Sequence, residues 1–205
     1  FHLLVVRIAM TRSAFSRKSL ISLPNVLTYL RIATIPIIVV LLIPPMWPES
    51  QGLAFLIFLA ASITDYLDGI LARRHNLVTP LGKLLDPLAD KLLTSAVMIM
   101  LIPLGKVPAW LVFIIIGRDI TITGLRSIAA SQGLIINASR TGKNKMISQT
   151  VGLSFLLLAV PTIQPLLDTV GMIFLWLSVV LSYWSARDYC RQFFRQAKRH
   201  DLPNE

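Results

Sequence analysis

The chain has 205 residues, 55% of them hydrophobic, with one cysteine, three histidines and a formal charge of +10 at pH 7. A mean hydropathy of +0.69, with repeated apolar runs long enough to cross a hydrocarbon core of about 30 Å as helices, excludes an ordinary soluble domain and predicts an integral membrane protein. A lone Cys190 excludes an intramolecular disulfide and a thiolate metal site, and the scattered His2, His75 and His200 argue against histidine-ligated zinc.

The segment from Phe1 to Met10 is apolar, too short to span, and lacks the small-residue cleavage pattern of a secretory signal. It reads as a leader of open role, with Met10 as an alternative start. Residues 11–24 mix Arg12, Arg17 and Lys18 with Phe15, Leu20 and Ile21. That mixture fits a basic amphipathic helix on an anionic leaflet or, equally, a solvated arm. Six spans follow, at about Val26 to Ile43, Leu53 to Leu71, Leu85 to Ile102, Ala109 to Ala130, Met146 to Val160 and Leu166 to Trp184. The fifth is short and begins among Lys143, Asn144 and Lys145, so it is either tilted or partly extramembrane. The predicted fold is all-α: a polytopic protein with six transmembrane helices over residues 25–187, preceded by a leader and arm over 1–24 and followed by a basic tail over 188–205.

The positions of the cations separate a membrane reading from a nucleic-acid one. Arg7, Arg12, Arg17, Lys18 and Arg31 precede or open the first span, and Arg73, Arg74 and Lys83 flank the second connection. Arg140, Lys143 and Lys145 flank the fourth, and Arg187, Arg191, Arg195, Lys198 and Arg199 follow the last span. All of these fall on one side, against Lys106 alone on the other, which places both termini in the cytoplasm. Trp47 and Trp110 at the outer boundary, and Trp184 at the inner one, read as interfacial anchors.

Four carboxylates stand within this apolar chain, in DYLDGILARRHNLVTPLGKLLDPLAD from Asp65 to Asp90. An ionisable residue at bilayer depth costs roughly 2.5 to 3.5 kcal/mol on insertion scales, so four together require countercharge. Asp65 and Asp68 share a face about one helical turn apart, as do Asp86 and Asp90. The connection with Asn76, Thr79, Pro80 and Gly82 is short enough to make the two helices antiparallel neighbours. All-oxygen ligands suit two hard divalent cations, Mg²⁺ or Mn²⁺. Gly69, Ala72 and Gly82 lack bulk and either admit a large ligand or serve helix packing. Arg73 either grips a diphosphate or, like Arg74, anchors the helix at the cytoplasmic face.

The spacing Asp65-x2-Asp68-Gly69-x2-Ala72-Arg73-x8-Gly82-x3-Asp86-x3-Asp90 resembles the signature of the CDP-alcohol phosphotransferase family at every fixed position. The resemblance implies a six-helix membrane enzyme, usually homodimeric, that transfers a phosphatidyl or similar group from a CDP-linked donor to an alcohol and releases CMP. It further implies Asp65, Asp68 and Asp86 as metal ligands, and Asp90 as general base with metal contact. Gly69, Ala72, Arg73 and Gly82 match the nucleotide-binding part, here for CDP-diacylglycerol.

Three further stretches resemble the bacterial phosphatidylglycerophosphate synthases, a branch of that family: Leu23-Pro24-Asn25-x2-Thr28-x2-Arg31, Gly117-Arg118-Asp119-Ile120-Thr121-Ile122-Thr123-Gly124-Leu125-Arg126, and Gly142-Lys143-Asn144-Lys145-Met146-Ile147-Ser148-Gln149. Met146 departs from the Thr common there. Arg118 and Arg126 are about 12 Å apart along an ideal helix axis, a gap two guanidinium arms can narrow toward one anion. Their countercharge is either Asp119 or a substrate phosphate, and Lys143 and Lys145 at the same depth favour the phosphate. The acceptor implied by the resemblance is glycerol 3-phosphate, at the cytoplasmic face of the bacterial inner membrane. Asn25, Thr28 and Arg31 form a polar stripe that either borders the nucleotide or caps and anchors the first helix. The rival readings are a cardiolipin synthase or other phosphatidyltransferase with a different acceptor, a cation transporter, and a polyprenyl transferase.

Overall fold

The computed structural model describes residues 23–44, 49–74, 80–131 and 140–200, with side chains described throughout these except at 23–25, 66–74, 80–84, 130, 140, 141, 143, 194 and 196–200. Among the described residues there are six α-helices and no strand. They are α1 (Leu23–Leu41), α2 (Ser50–Arg74), α3 (Pro80–Leu101), α4 (Ala109–Ser131), α5 (Arg140–Leu157) and α6 (Gln164–His200), with a short 3₁₀ turn at Pro161–Ile163 before the last. Each predicted span falls on one helix. The leader through residue 22, Trp47 and the connections at 75–79 and 132–139 lie outside the described residues.

Three boundaries differ from the sequence reading by five residues or more. Helix α3 begins at Pro80, because proline has no amide hydrogen to lose at a first helical position and its φ is already helical. Helix α5 begins at Arg140, so Lys143 and Lys145 are helical, with the lysines close to its start. Helix α6 runs unbroken through 37 residues, about 55 Å at the helical rise, and carries the basic segment expected as a tail as far as His200.

By length and composition one described segment, Pro161–Phe193, is long and apolar enough to cross a membrane, and Val26–Leu41 and Ser50–Asp65 are shorter apolar helices. Many helical hydroxyls satisfy themselves on their own preceding turn. Ser62 donates to the Phe58 carbonyl, Thr94 to that of Asp90, Thr121 to that of Gly117 and Ser154 to that of Thr150. This is how a polar side chain survives in apolar surroundings without water. Large apolar side chains stand exposed on every helix, among them Val40, Leu56, Ile99, Phe113, Ile147 and Val180.

The chain divides into two compact units, the first ending at Met100 and the second beginning at Leu101. In the first, α1 packs on α2, and Ile38, Leu42, Ala54 and Phe58 are fully buried. Pro36 and Pro87 sit inside α1 and α3, where each removes one backbone donor from the helical ladder.

In the second unit α5 and α6 make the most intimate packing. A Cβ on Gly152 would lie 2.9 Å from the Gly171 carbonyl oxygen, and one on Gly171 would lie 2.7 Å from Leu156 Cγ. Across the same seam Ser148 donates to the Phe174 carbonyl at 2.8 Å, and the Phe155 and Phe174 rings stack 6.1 Å apart. Trp110 of α4 meets Trp176 of α6 at 5.6 Å.

The turn before α4 is closed by Gly105 N–H to the Ile102 carbonyl and Lys106 N–H to the Leu101 carbonyl. Gly105 takes the left-handed φ of 69° that this helix-terminating motif needs. Lys106 then reaches across to donate to the Leu156 carbonyl at 2.8 Å and to face Asp168 at 3.4 Å. Burial pushes the Lys106 pKa below its ordinary value, and Asp168 pulls it back up.

Candidate active site

In the first unit, α1 presents Thr28 and Arg31 on one face, three positions apart. Both are buried, at 2% and 4% exposure. The Thr28 hydroxyl donates to the Asp86 carboxylate of α3. Arg31 Nη1 lies 2.5 Å from Asp65 Oδ1 of α2. Asp86 is also near enough to Asp65 for the two charges to repel. One helix therefore touches two carboxylates carried by two others, its Arg31 paired with Asp65 and its Thr28 with Asp86. Arg31 Nε has no hydrogen-bond partner among the described residues.

Asp90 lies one turn beyond Asp86 and is half-buried. Its carbonyl accepts from Thr94 at 3.0 Å. Asp68, Gly69, Ala72 and Arg73 lie in the final turns of α2 and Gly82 in the first turn of α3, with their side chains outside the described set. Asn25 falls within the first turn of α1, its side chain likewise undescribed.

The donor set fits a hard divalent cation. Asp65 and Asp86 offer oxygen donors from different helices, and their repulsion is what an added positive charge would relieve. Among the described residues no group of three His, Cys, Asp or Glu gathers about one point. The two carboxylates and their partners on α1 are what the structure brings together.

The second unit holds a separate charged cluster. Lys145 Nζ of α5 donates to both oxygens of Asp119 on α4, at 2.7 Å to Oδ1 and 2.6 Å to Oδ2. Arg118 Nη1 donates to the same Oδ1 at 3.1 Å. Its Nη2 crosses to α6 and donates to the Ser182 carbonyl at 2.6 Å. Arg118 Nε and Ser182 Oγ are buried without hydrogen-bond partners among the described residues. A tight crease lined by Ile114, Ile115, Arg118, Lys145, Ser178 and Ser182 runs beside them, too narrow as it stands for a water molecule.

Arg126, two turns along α4, is exposed and lies 5.5 Å over the Tyr189 ring of α6, a cation–π contact. Lys143 is on the first turn of α5, with its side chain undescribed. The sequence offered Arg118 a choice between Asp119 and a phosphate. The structure pairs it with Asp119 and adds Lys145 to the same carboxylate. The sequence reading placed Arg31 in a polar stripe without its partner and did not single out Tyr189. Arg31 as the partner of Asp65 was signalled by an arginine in an apolar span, which needs a countercharge. Tyr189 had no signal, since an aromatic past the last span looks like any interfacial residue.

The CDP-alcohol phosphatidyltransferase family profile matches residues 21–184, a range that runs through both clusters. The chain belongs to that family. Among its relatives, the "CDP-diacylglycerol--glycerol-3-phosphate 3-phosphatidyltransferase" of Bacillus subtilis (strain 168) is 38% identical, aligned over 82% of this chain and 93% of its own. The protein of the same description from Rickettsia bellii (strain RML369-C) is 38% identical over 84% of this chain and 97% of its own. A "Cardiolipin synthase (CMP-forming)" of Oryza sativa subsp. japonica is 37% identical over 86% of this chain and 58% of its own.

Proposed function

We propose that this protein is a phosphatidyltransferase of phospholipid biosynthesis that moves the phosphatidyl group of CDP-diacylglycerol to the sn-1 hydroxyl of glycerol 3-phosphate, giving phosphatidylglycerophosphate and CMP. The observation that carries the reading is the 38% identity over 82% of the chain to the Bacillus subtilis protein described by that reaction. Asp65, Asp68, Asp86 and Asp90 would hold two divalent cations, Mg²⁺ or Mn²⁺, which when bound would offset the negative charge of the diphosphate. Asp90 takes the proton of the attacking hydroxyl on its carboxylate. Gly69, Ala72, Gly82 and Arg73 receive the cytidine diphosphate, with Asn25, Thr28 and Arg31 beside them; Thr28 and Arg31 hold Asp86 and Asp65 in place. Arg118, Arg126, Lys143 and Lys145 bind the phosphate of the acceptor.

The same reading makes residues 25–187 a membrane domain of six crossings in the bacterial inner membrane, homodimeric, with both termini and the chemistry on the cytoplasmic side. Exposed apolar residues on all six helices, and hydroxyls satisfied within their own helices, support lipid surroundings.

A second reading, cardiolipin synthesis from phosphatidylglycerol, is favoured by the Oryza sativa relative. Purified protein given CDP-diacylglycerol and Mn²⁺ or Mg²⁺, with either glycerol 3-phosphate or phosphatidylglycerol, separates the two. Phosphatidylglycerophosphate and CMP are expected from the first acceptor only, and none in chelator. Turnover of phosphatidylglycerol alone overturns the acceptor assignment.

A further inference from the structure

We infer that Asp119 is a positioning residue for the acceptor's phosphate: its carboxylate assembles Arg118 and Lys145 into one two-cation anion site. This rests on the acceptor reading above and goes beyond it, since Asp119 there is only a neighbour of the binding residues.

Arg118 and Lys145 come from different helices and, without Asp119, would repel. Both donate to Asp119 Oδ1, at 3.1 and 2.7 Å, which holds two like charges within about 6 Å of each other. Lys145 is tied further by Oδ2 at 2.6 Å. Arg118 is tied at its other end by the Ser182 carbonyl at 2.6 Å, so its guanidinium plane is fixed from two sides.

The three side chains are 11 to 15% exposed, so solvent does little to screen the pair, and the shared carboxylate offsets the repulsion. Two cations and one anion leave a net positive charge. Arg118 Nε, buried and without a hydrogen-bond partner among the described residues, remains as a donor for an incoming anionic oxygen. Asp119 thus acts through its two partners and never touches the reacting atoms.

The test is steady-state kinetics on the purified full chain with both substrates varied, for wild type, Asp119→Asn and Asp119→Glu, alongside thermal unfolding. Asp119→Asn keeps the shape and drops the charge that holds Arg118 and Lys145 together. The KM for glycerol 3-phosphate should rise by about tenfold or more with the KM for CDP-diacylglycerol little changed, while the unfolding temperature falls because two buried cations lose their countercharge. Asp119→Glu, which restores the charge on a longer arm, should recover part of the loss. An unchanged or lowered acceptor KM in Asp119→Asn overturns the inference, as does an equal rise in both KM values, which marks a merely structural ion pair. Should Asp119→Asn fail to fold, the same split in Asp119→Glu decides, a selective rise in acceptor KM supporting the inference and anything else rejecting it. Wild-type protein that turns over no glycerol 3-phosphate rejects the acceptor assignment and this inference with it, whereas wild-type turnover with no acceptor-specific effect rejects this inference alone.

Discussion

The carboxylate of Asp86 accepts the Thr28 hydroxyl while standing close to the like charge of Asp65. Asp86→Asn leaves an oxygen for Thr28, occupies nearly the same volume and removes one of the two repelling charges. In chelator, unfolding should therefore occur at the wild-type temperature or above it. Phosphatidyl transfer should nevertheless fall by at least about 100-fold, because an amide oxygen is a poor ligand for a hard cation and no longer balances its charge. Assays of unfolding and of CMP release on one preparation read both halves. Transfer at the wild-type rate under controlled free metal removes Asp86 from the chemistry. Arg31 behaves differently: buried against Asp65, it is that carboxylate's ion-pair partner, so its loss mixes stability with activity and tests neither cleanly.

At the scale of elements, the seam between α5 and α6 depends on two positions that cannot carry a side chain. A methyl on Gly152 meets the Gly171 carbonyl oxygen at 2.9 Å, Leu175 N at 3.1 Å and Phe174 Cβ at 3.2 Å. Two of these contacts are backbone and none is the end of a flexible chain, so the helices must separate and the Ser148 bond to the Phe174 carbonyl must lengthen. Gly152→Ala should cost about 1–3 kcal/mol, read as a lowered unfolding temperature. Gly52→Ala, on α2 with nothing within 4 Å of the added carbon, should be neutral or mildly stabilising by helix propensity. If both behave alike, the close approach is not what holds the seam. This crossing was not legible in the sequence. Gly152 lies in an apolar run and Gly171 in another, and spacing within one helix says nothing about which neighbour it meets. What was legible is what periodicity and charge encode within single elements: the six helices, the shared face of Asp86 and Asp90, and the need of Arg118 for a countercharge. The pairing of Arg31 with Asp65, and of Lys145 with Asp119, depends on how separate helices are laid together, which local pattern does not carry.

For the whole molecule, the number of crossings turns on α5. It has 18 residues, about 27 Å at the helical rise, just short of the hydrocarbon thickness, and it opens on Arg140, Lys143 and Lys145. If all six helices cross, five crossings separate Glu49 from Cys190, and the two positions face opposite sides of the membrane. If α5 lies along the surface, four crossings separate them and they face the same side. Cys190 is the sole cysteine of the chain and is half-buried, so Arg195→Cys in a Cys190→Ser background adds an exposed reporter on the same helix. Glu49→Cys in that background reports from an exposed position just ahead of α2. A membrane-impermeant maleimide should label Arg195→Cys only in inverted vesicles, as the positive-inside rule expects of the basic end of α6, and should label Glu49→Cys only from outside. Labelling of both variants from one side removes α5 from the set of crossings. Labelling of Arg195→Cys from outside alone reverses the orientation and takes the basic residues, with the phosphate chemistry assigned to them, out of the cytoplasm.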